Sequence, residues 1–327
     1  MKLAVIGAGY WGSNLIRVAH ELGVLESVCD ANEAALATVA EQYPEVGLEF
    51  EISSVLKRDI DAVMIAAPAT VHAELALEAI VAGKHVFVEK PLAMSAEDAA
   101  VVVRAARAGG RVLFVGHLLL YHPAVQRVVG LIREGAIGTV RHVRSRRLSW
   151  GKLRAHENVW WSFAPHDIAV VLEIFEAFPE TVRGCLSGFV RPQIADFAYA
   201  DLQFTGGRSA HIETSWLDPD KSARLDVFGS KGVLRMIDSR DGAHVTLTPG
   251  GDRPDAMGHP ELVREAAREI DFTPAEPLAA EMRAFIDAVE NGTHPITDGD
   301  EGLRVVQVLS MLGGNHNYLH PSMEALV

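Results

Sequence analysis

The first 119 residues alternate short apolar runs with segments of helical periodicity, and this alternation restricts the possible folds more than any other feature. Five runs have strand length, and segments of helix length separate them. The runs are KLAVIG, LESVC, DAVMIA, KHVFVE and RVLFVG. Near-continuous apolar strands that alternate with helices are typical of a parallel sheet covered on both faces. The pattern therefore predicts a doubly wound α/β domain.

The pattern changes after about residue 120. Polar and apolar residues alternate in most of the segment 182–238, which is typical of an antiparallel sheet with one solvated face. With 327 residues, the chain is long enough for two domains. We predict a first domain over residues 1–119. Residues 120–327 are predicted to form an α+β domain for substrate binding and oligomerisation, with a large, mostly antiparallel open sheet.

Charge and cysteine content limit the partners of the chain. Asp and Glu outnumber Lys and Arg by 43 to 30, which gives a formal net charge of −13. Such a chain is repelled by nucleic acid and by anionic membranes. Cys29 and Cys185 form no CxxC pair, and no apolar run approaches the ~18 residues of a membrane span. We expect a cytoplasmic protein that binds neither nucleic acid nor membrane.

A row of arginines follows residue 140, and it has two interpretations. It is either the solvated face of a strand or a local binding site for anions, and the sequence does not decide between them. The arginines are Arg141, Arg144, Arg146 and Arg147.

A glycine-rich turn follows the first apolar run. The residues are Gly7, Ala8, Gly9, Tyr10, Trp11 and Gly12, which form a G-x-G-x-x-G motif between a strand and a helix. In this context Gly7 permits a tight turn, Gly9 lets a pyrophosphate approach the backbone, and Gly12 lets the helix pack closely. The helix N-terminus also attracts phosphate. The motif predicts that residues 1–119 form a dinucleotide-binding Rossmann domain.

Asp30 lies at the end of the second apolar run, 18 residues after Gly12. A carboxylate at this point can bind the adenosine ribose and would repel the 2′-phosphate of NADP. We therefore predict NAD as the cofactor, in preference to NADP. The alternative is that Asp30 only caps the next helix.

Lys90 lies at the carboxyl end of the strand-like run HVFVE. Ligands of doubly wound sheets bind outside the carboxyl ends of the strands. We therefore expect the Lys90 ammonium to face the crevice that holds the nicotinamide.

Several stretches together resemble the Gfo/Idh/MocA family of NAD(P)-dependent sugar and inositol oxidoreductases. They are GAGYWG, IAAPATVH, GKHVFVEKPLAMS, GHLLLYHPAV and ENGTHPITDGDEGLRVVQVL, so the resemblance runs nearly from end to end. The stretch RRLSWGKLRAHENVWWSFAPHD is similar to the branch that acts on nucleotide-linked sugars.

The resemblance implies roles for residues along the cofactor. Lys90 would contact the reacting hydroxyl and the nicotinamide ribose. Ala67, Pro68 and His72, within IAAPATVH, would lie along the cofactor, and Glu89 would line its nicotinamide side. The alternatives are that His72 only opens a helix and that Glu89 only pairs with Lys90.

The stretch SFAPHD contains the second catalytic candidate, His166, which we also expect at the substrate. Members of the family often carry an aspartate four residues before this histidine, and Ser162 stands there instead. Pro165 predicts that a helix starts at this point, so that its dipole would keep His166 neutral and able to accept a proton. Asp167 opposes this effect. The alternative is a histidine that only packs.

Further candidates for substrate binding are His117, Lys152, Arg154 and Trp161. Lys152 and Arg154 suit a sugar diphosphate or a carboxylate, and Trp161 could stack on a sugar ring. Solvated surface and buried core are the alternatives. His117 and His122 lack the neighbouring carboxylates and thiols of a metal site, so we predict no metal.

The sequence thus predicts an NAD-dependent oxidoreductase that acts on a free or a nucleotide-linked sugar, with Lys90 and His166 handling the proton. One alternative is an NAD-dependent glycosidase that works by transient oxidation and elimination. Another is a non-enzymatic regulator that binds NAD. An exposed apolar sheet is a liability, so we also expect a homodimer or homotetramer assembled through the C-terminal sheet.

Overall fold

The computed structural model describes residues 1–313 except 152, 155, 156 and 240. The chain divides into two compact units. The first contains Met1–Tyr121 and Ala275–Gln307, and the second contains His122–Pro274 and the segment from Val308 onward. Residues 275–307, which we grouped with the second domain from sequence, thus cluster with the first unit. The roles assigned to the two domains stay predictions.

A six-stranded sheet forms the centre of the first unit. Its strands are β1 (Leu3–Ile6), β2 (Leu25–Cys29), β3 (Gly47–Glu49), β4 (Ala62–Ile65), β5 (His85–Glu89) and β6 (Leu113–Gly116). The helices between them are α1 (Gly12–Glu21), α2 (Glu33–Gln42), α3 (Ile52–Leu56), α4 (His72–Val81) and α5 (Ala96–Gly109). The order is β3-β2-β1-β4-β5-β6 and every pairing is parallel. The predicted Rossmann-like fold is confirmed.

β3 and α3 have no clear signal in the sequence. Both elements are short, and the segment that forms them, GLEFEISSVL, mixes polar and apolar residues without a sustained period. β3 lies at the edge of the sheet and is only half-buried. An edge strand does not need the continuous apolar run that identifies the central strands.

The second unit contains two helices and a nine-stranded sheet. Its elements are α6 (Pro123–Arg133), β7 (Val140–Trp150), α7 (Val159–Phe175), β8 (Thr181–Ser187), β9 (Phe197–Gln203), β10 (Ser209–Ser215), β11 (Leu217–Gly229), β12 (Gly232–Ser239), β13 (Gly242–Pro254), β14 (Pro260–Arg264) and β15 (Arg268–Glu269). The order is β14-β13-β12-β11-β7-β10-β9-β8, with β15 beside β13. Among the described pairings β7–β10 is parallel and the others are antiparallel. The predicted, mostly antiparallel sheet is confirmed.

Two C-terminal helices follow, α8 (Pro277–Asn291) and α9 (Gly299–Leu312). In the first unit, α8 packs on β5 and β6 through aromatic side chains. The ring of Phe285 meets those of Phe87 and Phe114 edge-on, with centroid distances of 5.8 and 5.6 Å, and all three side chains are buried. The carboxyl ends of β5 and β6 are thereby held against a rigid apolar core.

No helix among the described residues is long and apolar enough to cross a membrane.

Candidate active site

The glycine turn lies between β1 and α1, and its three glycines have different environments. Gly7 has a φ of +100°, and a Cβ there would lie 2.8 Å from the backbone of Ala66. A Cβ on Gly12 would collide with the Gly7 carbonyl, whereas one on Gly9 would meet nothing within 4 Å. Gly7 and Gly12 are therefore required by the fold. Gly9 leaves open space at the start of α1, which fits the approach of a phosphate.

Asp30 follows β2 and holds the glycine turn. Its Oδ2 accepts the backbone N–H of Ala8 at 2.7 Å, and its Oδ1 accepts the N–H of Asn32 at 2.8 Å. Each oxygen keeps lone-pair capacity for a ribose hydroxyl. The alternative that Asp30 caps the next helix is wrong, because Asn32 caps α2 by accepting the N–H of Ala34.

His72 is the first residue of α4 and is buried. Its Nδ1 lies 2.8 Å from the carbonyl oxygen of Pro91, and its Nε2 lies 2.8 Å from that of Ala67. His72 therefore connects the segment after β4, which includes Pro68, to the segment after β5. The contacts give His72 a role in fixing these loops, and its predicted place along the cofactor stays a prediction.

Glu89 is the last residue of β5, and its buried carboxylate connects β5 to the glycine turn. It accepts the indole Nε1–H of Trp11 and the backbone N–H of Lys90, the latter at 3.3 Å. Gly116 on β6 makes room for it, since a Cβ there would lie 3.1 Å from the carboxylate. Burial raises the pKa of Glu89, and the Trp11 bond and the charge of Lys90 partly offset this rise.

Lys90 follows Glu89 directly at the carboxyl edge of the sheet and is half-buried. The Lys90–Pro91 peptide bond is cis. In the sheet register Glu89 pairs with Gly116, so the next residues of the two strands, Lys90 and His117, leave the sheet side by side. The placement of Lys90 at this edge agrees with the predicted topology, and its contact with a nicotinamide stays a prediction.

His117 is buried and forms a pair that no sequence pattern indicates. Its Nδ1 lies 2.5 Å from Oε2 of Glu301 on α9. Its Nε2 has no hydrogen-bond partner in the described part of the chain. Glu301 is 184 residues away from His117, so no local pattern joins them.

Glu281 on α8 was also missed, although the sequence contains a signal for it. Its side chain has no exposed surface. Leu278, Met282 and Phe285 form the apolar stripe of α8, and Glu281 lies at helical spacing within that stripe. A carboxylate in an apolar stripe indicates a buried charge or a buried acid.

The structure corrects the reasoning about His166. The helix does not start at Pro165, because α7 begins at Val159 and contains Pro165 in its interior. Asn158 caps it by accepting the N–H of Trp161 at 3.0 Å. His166 therefore lies two turns into α7, where the helix dipole at the N-terminus does not keep an imidazole neutral. Sequence reasoning missed Asn158 because the proline is the stronger local signal.

Asp167 on α7 does not take the place of the missing aspartate. Its carboxylate accepts the Ser145 hydroxyl at 2.6 Å and the Arg147 guanidinium at 2.7 and 3.2 Å. These bonds tie α7 to β7. Ser162 stands at the position where the family often has aspartate, one turn before His166 on α7, and its side chain is buried.

Of the remaining candidates for substrate binding, the structure describes Arg154 and Trp161. Lys152 lies outside the described residues. Arg154 is exposed and pairs with Glu157 at 2.7 Å. Trp161 is 2% exposed, so a sugar ring has little indole surface to stack on. Arg154 and Trp161 keep their substrate roles only as predictions.

The arginine row of β7 is neither an open anion site nor a purely solvated face. Each guanidinium pairs with a carboxylate at 2.7–3.2 Å. The pairs are Arg141–Asp252, Arg144–Asp226, Arg146–Glu213 and Arg147–Asp167. Since Arg147 and Ser145 face α7, Arg144 and Arg146 lie on the opposite face of the sheet. Phe228 and Tyr199 lie on that face beside the charged side chains, and its burial in an oligomer stays a prediction.

Within the described residues, no group of three or more His, Cys, Asp and Glu side chains is arranged to hold a metal ion. His122 accepts the N–H of Ala124 at 3.2 Å and caps α6. Burial lowers the pKa of His122.

Two family models match the chain. Residues 1–117 match an oxidoreductase family with an NAD-binding Rossmann fold. Residues 125–235 match the C-terminal domain of the same GFO/IDH/MocA family.

Individual proteins match over almost the whole length. The chain is 27% identical over 312 residues to UDP-N-acetylglucosamine 3-dehydrogenase of Acidithiobacillus ferrooxidans, covering 94% of each chain. A solved structure of that enzyme matches with a TM-score of 0.83 and 26% identity, covering 95% of this chain and 96% of the other.

Two further matches bear on the family. The crystal structure of an oxidoreductase from Magnetospirillum magnetotacticum MS-1 matches with a TM-score of 0.82 and 31% identity, covering 95% of this chain and 99% of the other. The 2,7-anhydro-N-acetylneuraminate hydratase of Escherichia coli K12 is 26% identical over 302 residues, covering 88% of this chain and 79% of the relative. With its NAD-binding Rossmann unit and its open second sheet, the chain belongs to the Gfo/Idh/MocA family of oxidoreductases.

Proposed function

We propose that the protein transfers a hydride between a carbon of a nucleotide-linked sugar and NAD, with Lys90 and His166 handling the proton. The observation that carries the proposal is the position of Lys90. It follows β5 at the carboxyl edge, and its neighbour Glu89 is bonded to Trp11 of the glycine turn. Similarity to a UDP-N-acetylglucosamine 3-dehydrogenase over 94% of both chains supports the substrate class.

The residues of the first unit fit a dinucleotide. Gly9 leaves room for a phosphate at the start of α1, and Asp30 is held by two backbone N–H groups with capacity left for ribose hydroxyls. A carboxylate here disfavours a 2′-phosphate, which supports NAD over NADP. When bound, the nicotinamide supplies the acceptor or donor for the hydride. We propose Ala67, Pro68 and His72 as the residues that flank it.

The proton is handled by side chains of this chain. Oxidation of a carbinol breaks its C–H bond, with the hydride leaving, and its O–H bond, with the proton leaving to a base. We propose that Lys90 holds the reacting oxygen by a hydrogen bond, and that the proton goes to His166 or to Lys90 in its uncharged amine form. His166 rests on the family resemblance alone, since the helix-terminus argument for its neutrality no longer applies.

Substrate binding is proposed for His117, Lys152, Arg154 and Trp161. The best supported is His117, because Glu301 fixes its ring and its Nε2 has no hydrogen-bond partner among the described residues. A fixed imidazole with one unpaired nitrogen is suited to a sugar hydroxyl. We also propose that the enzyme is cytoplasmic and assembles as a homodimer or homotetramer through the C-terminal sheet.

A second candidate is a redox-neutral reaction, in which transient oxidation activates a sugar for elimination and the hydride is then returned. An NAD-dependent glycosidase is of this kind. The similarity to 2,7-anhydro-N-acetylneuraminate hydratase favours this candidate. No observation supports the regulator hypothesis.

The test begins with the purified protein, which is denatured so that any released nucleotide can be identified. The refolded or untreated enzyme is then incubated with NAD⁺ and a panel of UDP-sugars, free sugars and aryl glycosides. We expect reduced nicotinamide to accumulate with a UDP-sugar. Release of aglycone or water elimination without net reduction would favour the second candidate. Absence of both activities and of NAD binding would contradict both proposals.

A further inference from the structure

Glu281 on α8 has an environment that calls for a physical explanation. Its side chain has no exposed surface, and neither carboxyl oxygen has a hydrogen-bond partner in the described part of the chain. Burying an ionised carboxylate without a partner is very unfavourable. Even a neutral polar group left without partners costs about 1–3 kcal/mol. A carboxyl kept under these conditions indicates a function for the proton it can carry.

The packing of α8 places Glu281 above the end of β5. Phe285 packs against Phe87. Glu281 lies one turn before Phe285, about 6 Å along the helix axis. Glu89 lies two residues after Phe87, about 6.6 Å along the strand and on the same face. The two steps run in the same direction, because Glu290 at the C-terminal end of α8 pairs at 2.9 Å with the amino group of Met1, at the amino edge of the parallel sheet.

The ionisable groups around Glu281 leave it without a counter-ion. On the elements packed against α8 these groups are Arg17 of α1, Glu89 and Lys90 at the end of β5, His117 and Tyr121 after β6, and Glu301 of α9. His117 pairs with Glu301, the charge of Lys90 acts on Glu89, and Arg17 pairs with Glu276 at the surface. Tyr121 bonds to Thr297 at 3.1 Å, and burial raises its pKa.

Three carboxyls therefore lie near Lys90 and His117, and each of these two side chains already has a carboxylate neighbour. Burial, together with the charges of Glu89 and Glu301, raises the pKa of Glu281 well above its ordinary value.

We propose that Glu281 is protonated in the cofactor-free protein and that its proton leaves to solvent when an oxidised nicotinamide, which carries a positive charge, lies beside Glu89. Glu281 does not touch the cofactor in this arrangement. It is a positioning residue that acts through Glu89 and sets the relative affinity for oxidised and reduced cofactor. The inference rests on the proposed function, because it requires the nicotinamide at the carboxyl edge of β5.

The consequence is a difference between the two cofactor forms. A positively charged ring favours the ionised form of Glu281, so binding of NAD⁺ releases a proton. The affinity of the protein for NAD⁺ therefore rises with pH, by up to about tenfold per pH unit. The reduced ring is neutral and has no such preference. Each tenfold change in the ratio of the two dissociation constants is a shift of about 30 mV in the two-electron potential of the bound cofactor.

Isothermal titration calorimetry of the wild-type protein tests this directly. NAD⁺ and NADH are each titrated in two buffers with different ionisation enthalpies, from about pH 5 to about pH 9, since buried glutamates titrate as high as about 8–9. We expect up to one proton to be released with NAD⁺ and none with NADH. Equal proton counts for the two forms would overturn the inference.

Two variants test whether Glu281 is the group that releases the proton. Glu281→Gln should abolish the difference in proton release and flatten the pH dependence of NAD⁺ affinity. Glu290→Gln changes an exposed carboxylate of the same helix and should leave both unchanged. An unaltered proton count in Glu281→Gln would overturn the assignment. If that variant does not fold, equal proton release for NAD⁺ and NADH in the wild-type protein would still overturn the inference.

Infrared spectroscopy separates this inference from the proposed function. The cofactor-free protein should give the carbonyl stretch of a protonated carboxyl at neutral pH. Normal NAD binding without this band would overturn the inference and leave the proposed function intact. Presence of the band without any NAD binding would overturn the proposed function and, with it, the release step.

Discussion

Two buried carboxyls, one in each unit, have opposite surroundings. Asp226 on β11 has no exposed surface and accepts hydrogen bonds from three guanidinium groups at 2.6–3.2 Å, those of Arg144, Arg224 and Arg235. Glu281 on α8 is equally buried, and neither of its oxygens has a hydrogen-bond partner in the described part of the chain. Both carboxyls are out of contact with solvent, and they differ in their hydrogen-bond partners.

Burial alone therefore does not determine whether a carboxyl is ionised. Burial by itself raises the pKa of Asp226, but the hydrogen bonds of Arg224, Arg235 and Arg144 outweigh it and hold the pKa below its ordinary value. Nothing offsets burial at Glu281, and its pKa is raised. We interpret Asp226 as an ionised structural centre of the sheet and Glu281 as a neutral acid near the predicted active site.

The largest effect on stability is expected at Asp226. Asp226→Ala leaves three guanidinium groups without their carboxylate, and breaking a buried ion pair costs roughly 3–5 kcal/mol. The arginines are partly exposed, so we expect the lower end, about 3 kcal/mol. Urea denaturation measures the loss, with Asp252→Ala, in an exposed pair with Arg141, as the control. Equal losses in both variants would contradict the contrast.

A gain in folding stability, the opposite of the effect at Asp226, is expected at Glu281. Glu281→Met replaces an unpartnered carboxyl by an apolar side chain of similar length, and we expect a gain of about 1–2 kcal/mol near neutral pH. Urea denaturation again measures the change. A loss of stability would mean that Glu281 has a hydrogen-bonding role in the folded protein.

The pH dependence of stability should also differ in sign. The contribution of Asp226 is complete above the ordinary carboxyl pKa of about 3.9 and is lost as the pH falls through its lowered value. The raised pKa of Glu281 makes the folded protein less stable as the pH rises from about 4.3 towards that raised value, by at most about 1.4 kcal/mol per pH unit. Thermal denaturation of wild type and Glu281→Met between about pH 4 and about pH 8 measures this, and parallel curves would contradict it.

The smallest effect is expected at a single arginine of the Asp226 network. Arg235→Met leaves Arg144 and Arg224 in place, and Arg235 itself is 44% exposed. We therefore expect a loss of less than about 1 kcal/mol. A loss as large as that of Asp226→Ala would mean that the three arginines do not share the carboxylate.

Local patterns predict what lies close together along the chain. The period of the apolar runs predicts the Rossmann sheet, and the glycine motif, Asp30 and Lys90 follow from their places at strand ends. The start of α7 was misplaced because Pro165 outweighs the Asn158 cap as a sequence signal.

Contacts between distant segments could not be predicted. The arginine row was visible, but Asp226, which is 82 residues from Arg144, has no local signal as its partner. The pairing of His117 with Glu301 depends on how α9 packs, which periodicity does not specify. The only sequence signal for Glu281 is a carboxyl side chain within the apolar stripe of α8.

The central claim is that Lys90 acts at a bound nicotinamide, and its removal tests this most directly. Turnover of the substrate found in the screen and NAD⁺ affinity are measured for Lys90→Met and for Lys57→Met, an exposed lysine after α3. We expect Lys90→Met to lower kcat roughly 10²–10⁴-fold while NAD⁺ still binds, and Lys57→Met to behave as wild type. Near wild-type turnover of Lys90→Met with NAD⁺ bound would contradict the account.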